Sequence, residues 1–201
     1  MKKLFTTTLA LLLVASLTAQ ISFGPRAGFN LTNMRISEDG ISISGDMKPG
    51  FQLGVVADIP VMGDMLSIQP GLLFAQQGAR FGEGDWRTTI NVNYLQMPIN
   101  AQFGFAVSRD ARILLQAGPY LGFALSGAYR FDGESESIEF GSDGEMNRFD
   151  FGVGFGAGVQ FGRFQVGVGY NLGIANISSF DDETTRNNGL VFTVTYLFGG
   201  R

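Results

Sequence analysis

Residues 147–172 read NRFDFGVGFGAGVQFGRFQVGVGYNL, and this stretch decides the fold. From Phe149 to Phe161, apolar side chains alternate strictly with glycine or a polar residue. The same alternation returns from Phe164 to Leu172, after the dipeptide Gly162-Arg163. A period of two over arms of this length is typical of β-strands, because successive side chains of a strand point to opposite faces. The stretch therefore predicts a β-hairpin.

The two faces of this hairpin are reversed relative to those of a soluble sheet. One face carries phenylalanine, valine, tyrosine and leucine, and the other carries little besides glycine and amides. A soluble sandwich packs its bulky face against a second sheet and leaves polar residues outside. A transmembrane barrel instead turns apolar residues towards lipid and polar ones towards its lumen. We therefore interpret the hairpin as two strands of a transmembrane barrel.

The N-terminus has the features of a signal peptide. Two lysines precede the short apolar run 9–17, and a small-residue segment places cleavage after Ala19. The apolar run is too short for a spanning helix, and no other run approaches 18 residues. We expect residues 1–19 to be a cleaved signal peptide. Residues 20–201 then form one outer-membrane β-barrel domain, inserted as strands.

Composition excludes several classes of function. The 201 residues include no Cys and no His, so a Ser-His-Asp triad, a histidine metal site, a disulfide and a thiol nucleophile are all ruled out. The net charge of −4 makes nucleic acid an improbable partner. The 29 glycines suit a crowded barrel interior. We expect no catalytic residue, no cofactor and no metal site, and hence no enzyme.

Eight segments along the chain show the strand pattern. They are residues 21–32, 51–59, 66–77, 90–105, 112–128, 147–161, 164–172 and 190–198. The connections between them alternate long and short, as in outer-membrane barrels with short periplasmic turns and longer outer loops. The sequence predicts an all-β, eight-stranded antiparallel up-and-down transmembrane β-barrel with both termini periplasmic. Closure leaves no strand edge unpaired in hydrocarbon.

Two irregularities are expected within these strands. The apolar parity slips between Tyr94 and Leu95, which suggests a bulge. Pro70, Pro98 and Pro119 each lack a ladder donor. We expect bulges or strand ends at the three prolines.

Several motifs resemble those of a known family. Residues 94–99, YLQMPI, resemble the YLEIP strand of the PorT-like outer-membrane β-barrel family common in Bacteroidetes, with Gln96 where an acidic residue is usual. Residues 116–122, QAGPYLG, are similar to its GPYLGY strand. Residues 150–158 and 170–173 resemble its DFG…GAG and YNLG hairpin. The resemblance implies an eight-stranded outer-membrane barrel and little about activity, with an accessory role in protein secretion as one variant.

Three charged residues point inward by parity, namely Arg26, Asp58 and Asp150. They could line a narrow polar path, but an eight-stranded lumen is only wide enough for side chains, so we favour paired charges that fill it. We expect a salt bridge between Arg26 and Asp58, shared with any glutamine in reach. Inward amides should complete a hydrogen-bonded plug. They are Gln52, Gln69, Gln102, Gln116, Gln160 and Gln165.

Aromatic residues near the strand ends are expected to form two girdles at the membrane interfaces rather than to stack on a ligand. One end has Phe103, Phe105, Phe161, Phe164 and Phe198, and the other has Phe81, Trp86, Phe131 and Phe149.

Carboxylates crowd the long loops. They are Glu38, Asp39, Asp46, Glu134, Glu136, Glu139, Asp143, Glu145, Asp181, Asp182 and Glu183. They could bind divalent cations or a partner, but they lack the fixed spacing of a calcium loop. We favour a solvated, mobile surface.

The leading hypothesis is a structural or interaction protein of the cell outer membrane, with long acidic loops facing the exterior. It would contact outer-membrane lipid, meet barrel-assembly machinery during biogenesis and be a monomer, with any envelope or extracellular protein partner unidentified. The first alternative is a narrow porin-like channel for small solutes. The second is a soluble secreted lipocalin-like barrel, which would place Phe and Leu inside and charge outside.

Overall fold

The computed structural model describes residues 21–38, 40–82, 86–141, 144–180 and 182–199. The predicted signal peptide and its cleavage site lie outside these residues, as do Asp39, Asp143 and Asp181. No helix of the described residues is long and apolar enough to cross a membrane.

The described residues form eleven strands. They are β1 (Ser22–Glu38), β2 (Ile41–Ser44), β3 (Asp46–Met62), β4 (Leu66–Phe81), β5 (Thr88–Ala106), β6 (Ala111–Phe131), β7 (Glu134–Ser137), β8 (Phe149–Phe161), β9 (Phe164–Gly173), β10 (Glu183–Tyr196) and β11 (Phe198–Gly199). The short strands β2 and β7 extend β1 and β6 into the loops, and β11 continues the last strand beside β1.

The other eight strands form a closed antiparallel ring. Each pairs with its sequence neighbour, and β10 returns to pair with β1 from Arg26↔Thr195 to Glu38↔Glu183. The predicted eight-stranded barrel is confirmed. Closure satisfies the backbone hydrogen bonds of every strand without exposing an edge to hydrocarbon.

The two ends of the barrel differ. Turns 63–65, 107–110 and 162–163 lie at the same end as Ser22 and Gly199, and we call this the turn end. The opposite, loop end carries the long connections 39–45, 82–87, 132–148 and 174–182. The alternation of short and long connections is as predicted.

The predicted orientation of the hairpin side chains is also correct. Phe155, Val166 and Val168 are 53%, 52% and 44% exposed on the outer surface. On the lumen face, in contrast, side chains such as that of Gln165 are buried. This apolar-out arrangement is that of a barrel in lipid and the reverse of a lipocalin.

The strands are longer at the loop end than the sequence pattern predicted. Residues 33–50 and 173–188 were expected to be loops, yet β1 runs to Glu38, β3 begins at Asp46 and β10 begins at Glu183. The strand β6 has 21 residues, whereas a tilted membrane crossing needs about 9–11. The ladders therefore continue beyond the membrane, where the outer face becomes polar and the lipid-facing alternation that marks a strand is lost.

The expected bulge at Tyr94 is on the neighbouring strand. Burial alternates without a break through β5, where Ile90, Val92 and Tyr94 all point inward. The register shift lies between Asn93↔Ser126 and Tyr94↔Ala124, so the extra residue is Leu125 of β6. The parity of the apolar residues slips in the sequence because the lumen becomes apolar near the loop end. Apolar side chains of β5 therefore point inward there and outward in the membrane.

The three prolines lie inside strands, not at bulges or strand ends as expected. Pro70 pairs with Ile99 and Pro119 with Val153. Beside the prolines, the β3–β4, β4–β5 and β5–β6 ladders each skip two residues and resume in the same register. A proline removes one donor, but the pairs on either side hold the register of the closed ring.

Phe155→Lys should destabilise the barrel by about 2–4 kcal/mol, because Phe155 lies midway along the outer face of β8 and a cation there meets the bilayer interior. Its neighbour provides the control. A Cβ added at Gly154 would meet the Asn171 side-chain oxygen at 2.8 Å, so Gly154→Ser requires only a side-chain adjustment and should cost less. Urea titrations of folding into lipid vesicles measure both, and equal losses would contradict the orientation.

Candidate functional site: the barrel lumen and its loop-end cap

The lumen near the turn end is filled by a hydrogen-bonded network. Arg26 of β1 is 5% exposed, and its guanidinium donates from Nε to the Thr195 hydroxyl at 2.8 Å and from Nη2 to the side-chain oxygen Oε1 of Gln69. The Gln69 amide donates to Gln165 at 3.2 Å, and the Gln165 amide donates to Gln102 at 3.2 Å. These bonds join β1, β10, β4, β9 and β5, so they cross the barrel from wall to wall.

The expected salt bridge between Arg26 and Asp58 is replaced by an indirect link. The β1–β3 register places Asp58 opposite Ser22 and Arg26 opposite Gly54, four residues away along β1. The Asp58 carboxylate instead accepts from the Ser67 hydroxyl at 2.7 Å and from the Gln69 amide at 3.4 Å. Gln69 therefore connects the two charges, as the shared glutamine of the prediction would.

The predicted amide plug is confirmed in part. Gln52, Gln69, Gln102 and Gln165 are buried. Gln160 instead donates to the carbonyl of Gly162 in the turn, at 3.0 Å. The space left beside Arg26, between Gln52, Gln96, Asn100, Gln116 and Tyr120, is a cavity of about 50 Å³. That volume holds at most a few water molecules.

Asp150 belongs to a second polar cluster, nearer the loop end. It is 1% exposed, and its Oδ2 accepts from the Asn187 side-chain amide at 3.0 Å. The same Asn187 amide lies 3.2 Å from the Tyr94 hydroxyl. The inward direction predicted for Asp150 is correct, and three distant strands meet at this level.

Beyond this cluster the lumen is apolar. Nine buried residues fill the loop end, and they are Met34, Ala79, Ile90, Val92, Tyr94, Ala124, Ile138, Met146 and Ile177. Six come from barrel strands, and the other three, Ile138, Met146 and Ile177, come from the long connections 132–148 and 174–182. We call these three residues the cap.

Backbone hydrogen bonds fix the cap to the barrel. Ile138 donates its N–H to the Gly127 carbonyl at 3.0 Å, and Ile177 donates to the Thr185 carbonyl at 2.9 Å. Asn147 donates to the Ile177 carbonyl at 2.9 Å and so joins the two connections. The strands β8 and β9 have only 13 and 10 residues, so the wall is low where these connections cross the mouth.

The predicted girdle at the turn end is present on the outer surface. Phe103, Phe105 and Phe161 are exposed there, and Phe164 and Phe198 lie 4.8 Å and 4.7 Å from Tyr196 between ring centroids.

The girdle at the loop end has other members than predicted. Phe81 packs against the apolar core, and Trp86 lies beside Phe131, with 6.2 Å between the ring centroids and a tilt of 42° between the rings. Phe149 does face outward, 5.3 Å from Phe123, and the pair Phe51 and Phe74 is 5.7 Å apart. The error follows from the strand extensions, because aromatics next to the loops lie above the bilayer.

The loop carboxylates do not converge. Among the described residues, no group of three or more is placed to hold a metal ion. Glu38, Glu134, Glu136 and Glu139 are exposed or border solvent, and the Glu145 carboxylate accepts from the Glu139 backbone at 3.4 Å.

Sequence reasoning missed the inward role of Asn187 and Tyr94. Asn187 lay in a predicted loop, and Tyr94 was identified only as the site of a parity slip. The signal was present in β10, where Asn187 shares the parity of Val191 and Thr195, and all three are buried. Extending that parity past Leu190 would have found Asn187.

Arg26→Ala should lower the free energy of unfolding and leave permeability nearly unchanged. The substitution removes the hydrogen-bond donor of Gln69 and of Thr195. Each buried acceptor left unsatisfied costs about 1–3 kcal/mol of the free energy of unfolding. Arg163→Ala in the exposed turn is the control and should be nearly neutral. Urea unfolding and bilayer conductance measure the two effects, and a large steady current with stability intact would show that Arg26 is a gate.

Ile177→Ala should destabilise the cap by about 2–5 kcal/mol, because Ile177 is fully buried and a cavity remains. Ile174→Ala in the same connection is the matched control, since Ile174 is 46% exposed. Urea unfolding in detergent micelles compares the two. Equal stability of the variants would show that the cap does not pack in the mouth.

The comparisons with known proteins agree with this architecture. The family described as outer membrane protein beta-barrel domain matches residues 15–179. Among solved structures, Neisserial surface protein A has a TM-score of 0.50 at 14% identity, covering 88% of this chain and 97% of that one. The attachment invasion locus protein Ail of Yersinia pestis has a TM-score of 0.43 at 19% identity, covering 89% and 99%. At 14% identity the likeness to Neisserial surface protein A concerns the fold alone. No curated protein matches the chain.

A closed ring of eight strands with an apolar outer face, together with the family match over most of its length, leads to one conclusion. The chain belongs to the outer membrane protein beta-barrel domain family and is an outer-membrane protein embedded in lipid.

Proposed function

We propose that this chain is a closed barrel with a structural or interaction role, oriented with its termini in the periplasm and its loop end outside the cell. The observation that carries this proposal is the filled lumen. Polar side chains bridge it from Arg26 to Gln102, and the cap closes the loop end. An eight-stranded barrel has room for little more than its own side chains.

The filling also argues against the porin-like alternative. A recess of about 620 Å³ opens at the turn end, between Asp58, Asp110 and Arg112. Asp58 and Ser67 of this recess bond to each other and, through Gln69, to the network around Arg26, beside which lies the cavity of about 50 Å³. A solute larger than water would have to break several buried hydrogen bonds to pass.

In an interaction role, a partner would bind at the loop end. Ile41, Ile43 and Trp86 are 69%, 60% and 79% exposed there, on the β1–β2 extension and the 82–87 connection. A surface that combines exposed apolar side chains with carboxylates is suited to binding a protein partner. The PorT-like resemblance adds an accessory role in protein secretion as one form of this function.

Other parts of the proposal concern chemistry and biogenesis. We take the protein not to be an enzyme, because a sequence without His or Cys cannot supply a Ser-His-Asp triad or a thiol nucleophile. It acts as a monomer and is inserted by barrel-assembly machinery.

Single-channel recording in planar bilayers tests the proposal. The intact protein should give no steady conductance, because the amide bridge spans the lumen. The double variant Gln102→Ala/Gln165→Ala shortens the two side chains at the end of that bridge and should increase leakage if the bridge is the barrier. Steady openings of the unaltered protein would favour the narrow channel instead.

A further inference from the structure

Two arginines lie directly opposite each other on the seam that closes the barrel. Arg35 of β1 pairs with Arg186 of β10, and both side chains are exposed. Their neighbours Met34, Thr185 and Asn187 are buried in the lumen, so alternation turns both guanidinium groups to the outer face. Like charges directly opposite on antiparallel strands destabilise the pairing. A bound anion between the two guanidinium groups would offset this repulsion.

The chain supplies no such anion among its described residues. Neither guanidinium has a carboxylate partner there. The nearest carboxylates along these strands, Glu38 and Glu183, pair with each other on the opposite face, where Glu183 accepts from the Thr185 hydroxyl at 2.7 Å. The charge of the arginine pair therefore remains directed outward.

The surface around the pair consists of uncharged groups that can donate hydrogen bonds. Ser44 of β2 lies opposite Arg35 on its other side, and Asn33 lies opposite Asn188 below the pair. Above it, Ser37 faces both Thr184 and Ser42, whose hydroxyl is 2.8 Å away. Three adjacent strands thus present two guanidinium groups within a rim of amides and hydroxyls. We call this surface the arginine patch.

The arginine patch continues into the lipid-facing surface. Directly below Asn33 and Asn188, the outer face runs through Leu31↔Leu190 and Phe29↔Phe192. Four residues separate Leu31 from Arg35, which is about 13 Å along a strand or about 10 Å along the axis of a barrel tilted by about 40°. The headgroup layer is about 5–8 Å deep on each side of the hydrocarbon. Leu31 and Leu190 form the last apolar pair of this outer face, so we place the edge of the hydrocarbon there. The guanidinium groups then lie at or just beyond the headgroups of lipids that pack on Phe29 and Phe192.

We propose that the arginine patch binds the phosphorylated sugar headgroup of a glycolipid in the leaflet at the loop end. Arginine matches phosphate with paired hydrogen bonds, and two arginines side by side fit one phosphate or two neighbouring ones. Acyl chains of the same lipid pack on the phenylalanine and leucine pairs below. The choice of this leaflet depends on the orientation in the proposed function.

The test uses the full mature chain, folded in nonionic detergent, with diphosphoryl lipid A as the probe. Native mass spectrometry and titration measure its binding. Arg35→Gln/Arg186→Gln removes the two charges, and Arg109→Gln/Arg163→Gln removes two at the turn end as the matched control. The patch variant should bind about tenfold more weakly or worse, and the control should bind like the unaltered protein. Because Arg35 and Arg186 repel each other, the patch variant should be at least as stable as the unaltered protein when no lipid is present.

Two further probes identify the ligand. Dephosphorylated lipid A should bind the unaltered protein and the patch variant equally weakly, and inorganic phosphate in excess should not displace the diphosphoryl form. Equal binding by both double variants, or displacement by inorganic phosphate, would overturn the proposal. Preference for phosphatidylglycerol over lipid A would overturn it together with the proposed orientation. A conducting pore would refute the proposed function and leave the arginine patch unaffected.

Discussion

Closure of eight strands into one ring is the constraint from which the rest of this structure follows. Closure gives every strand a partner on both sides, which allows the chain to cross hydrocarbon. It also fixes the width of the lumen, so that inward side chains from opposite walls meet. Each inward polar group must then find its partner inside the barrel, because water has little access. The chain from Arg26 through Gln69 and Gln165 to Gln102 is the result.

The barrel has two chemical regimes along its axis. Within the membrane it is apolar outside and polar inside, and the buried amides bond to each other across the lumen. Towards the loop end the arrangement is inverted, with Arg35 and Arg186 outside and Met34, Val92 and Ile177 inside. The inversion occurs because the solvent outside the wall changes from lipid to water. Above the bilayer, burial inside the barrel removes apolar surface from water.

This inversion also explains how the described loop residues Ile138, Met146 and Ile177 pack in the mouth of the barrel. A barrel filled only with polar groups would leave connections 132–148 and 174–182 without an apolar surface to pack on. The inward-facing side chains of Ile90, Val92 and Ala124 form an apolar surface against which Ile138, Met146 and Ile177 are buried. These loop residues thereby close the lumen, and the apolar side chains of the barrel strands hold them in position.

The sequence alone determined the strand number, the closed antiparallel topology, the short turns and the direction of the side chains in the membrane. These features depend on local alternation, which is unambiguous where one face meets lipid. Alternation also identified Arg26, Asp58 and Asp150 as interior charges. Tertiary structure decided which groups they meet, since Arg26 lies opposite Gly54 and reaches Asp58 only through Gln69. It also decided how far the strands continue and that Tyr94 points inward. Those outcomes depend on the register between distant strands and on where the bilayer ends, and neither is encoded in the periodicity of a single segment.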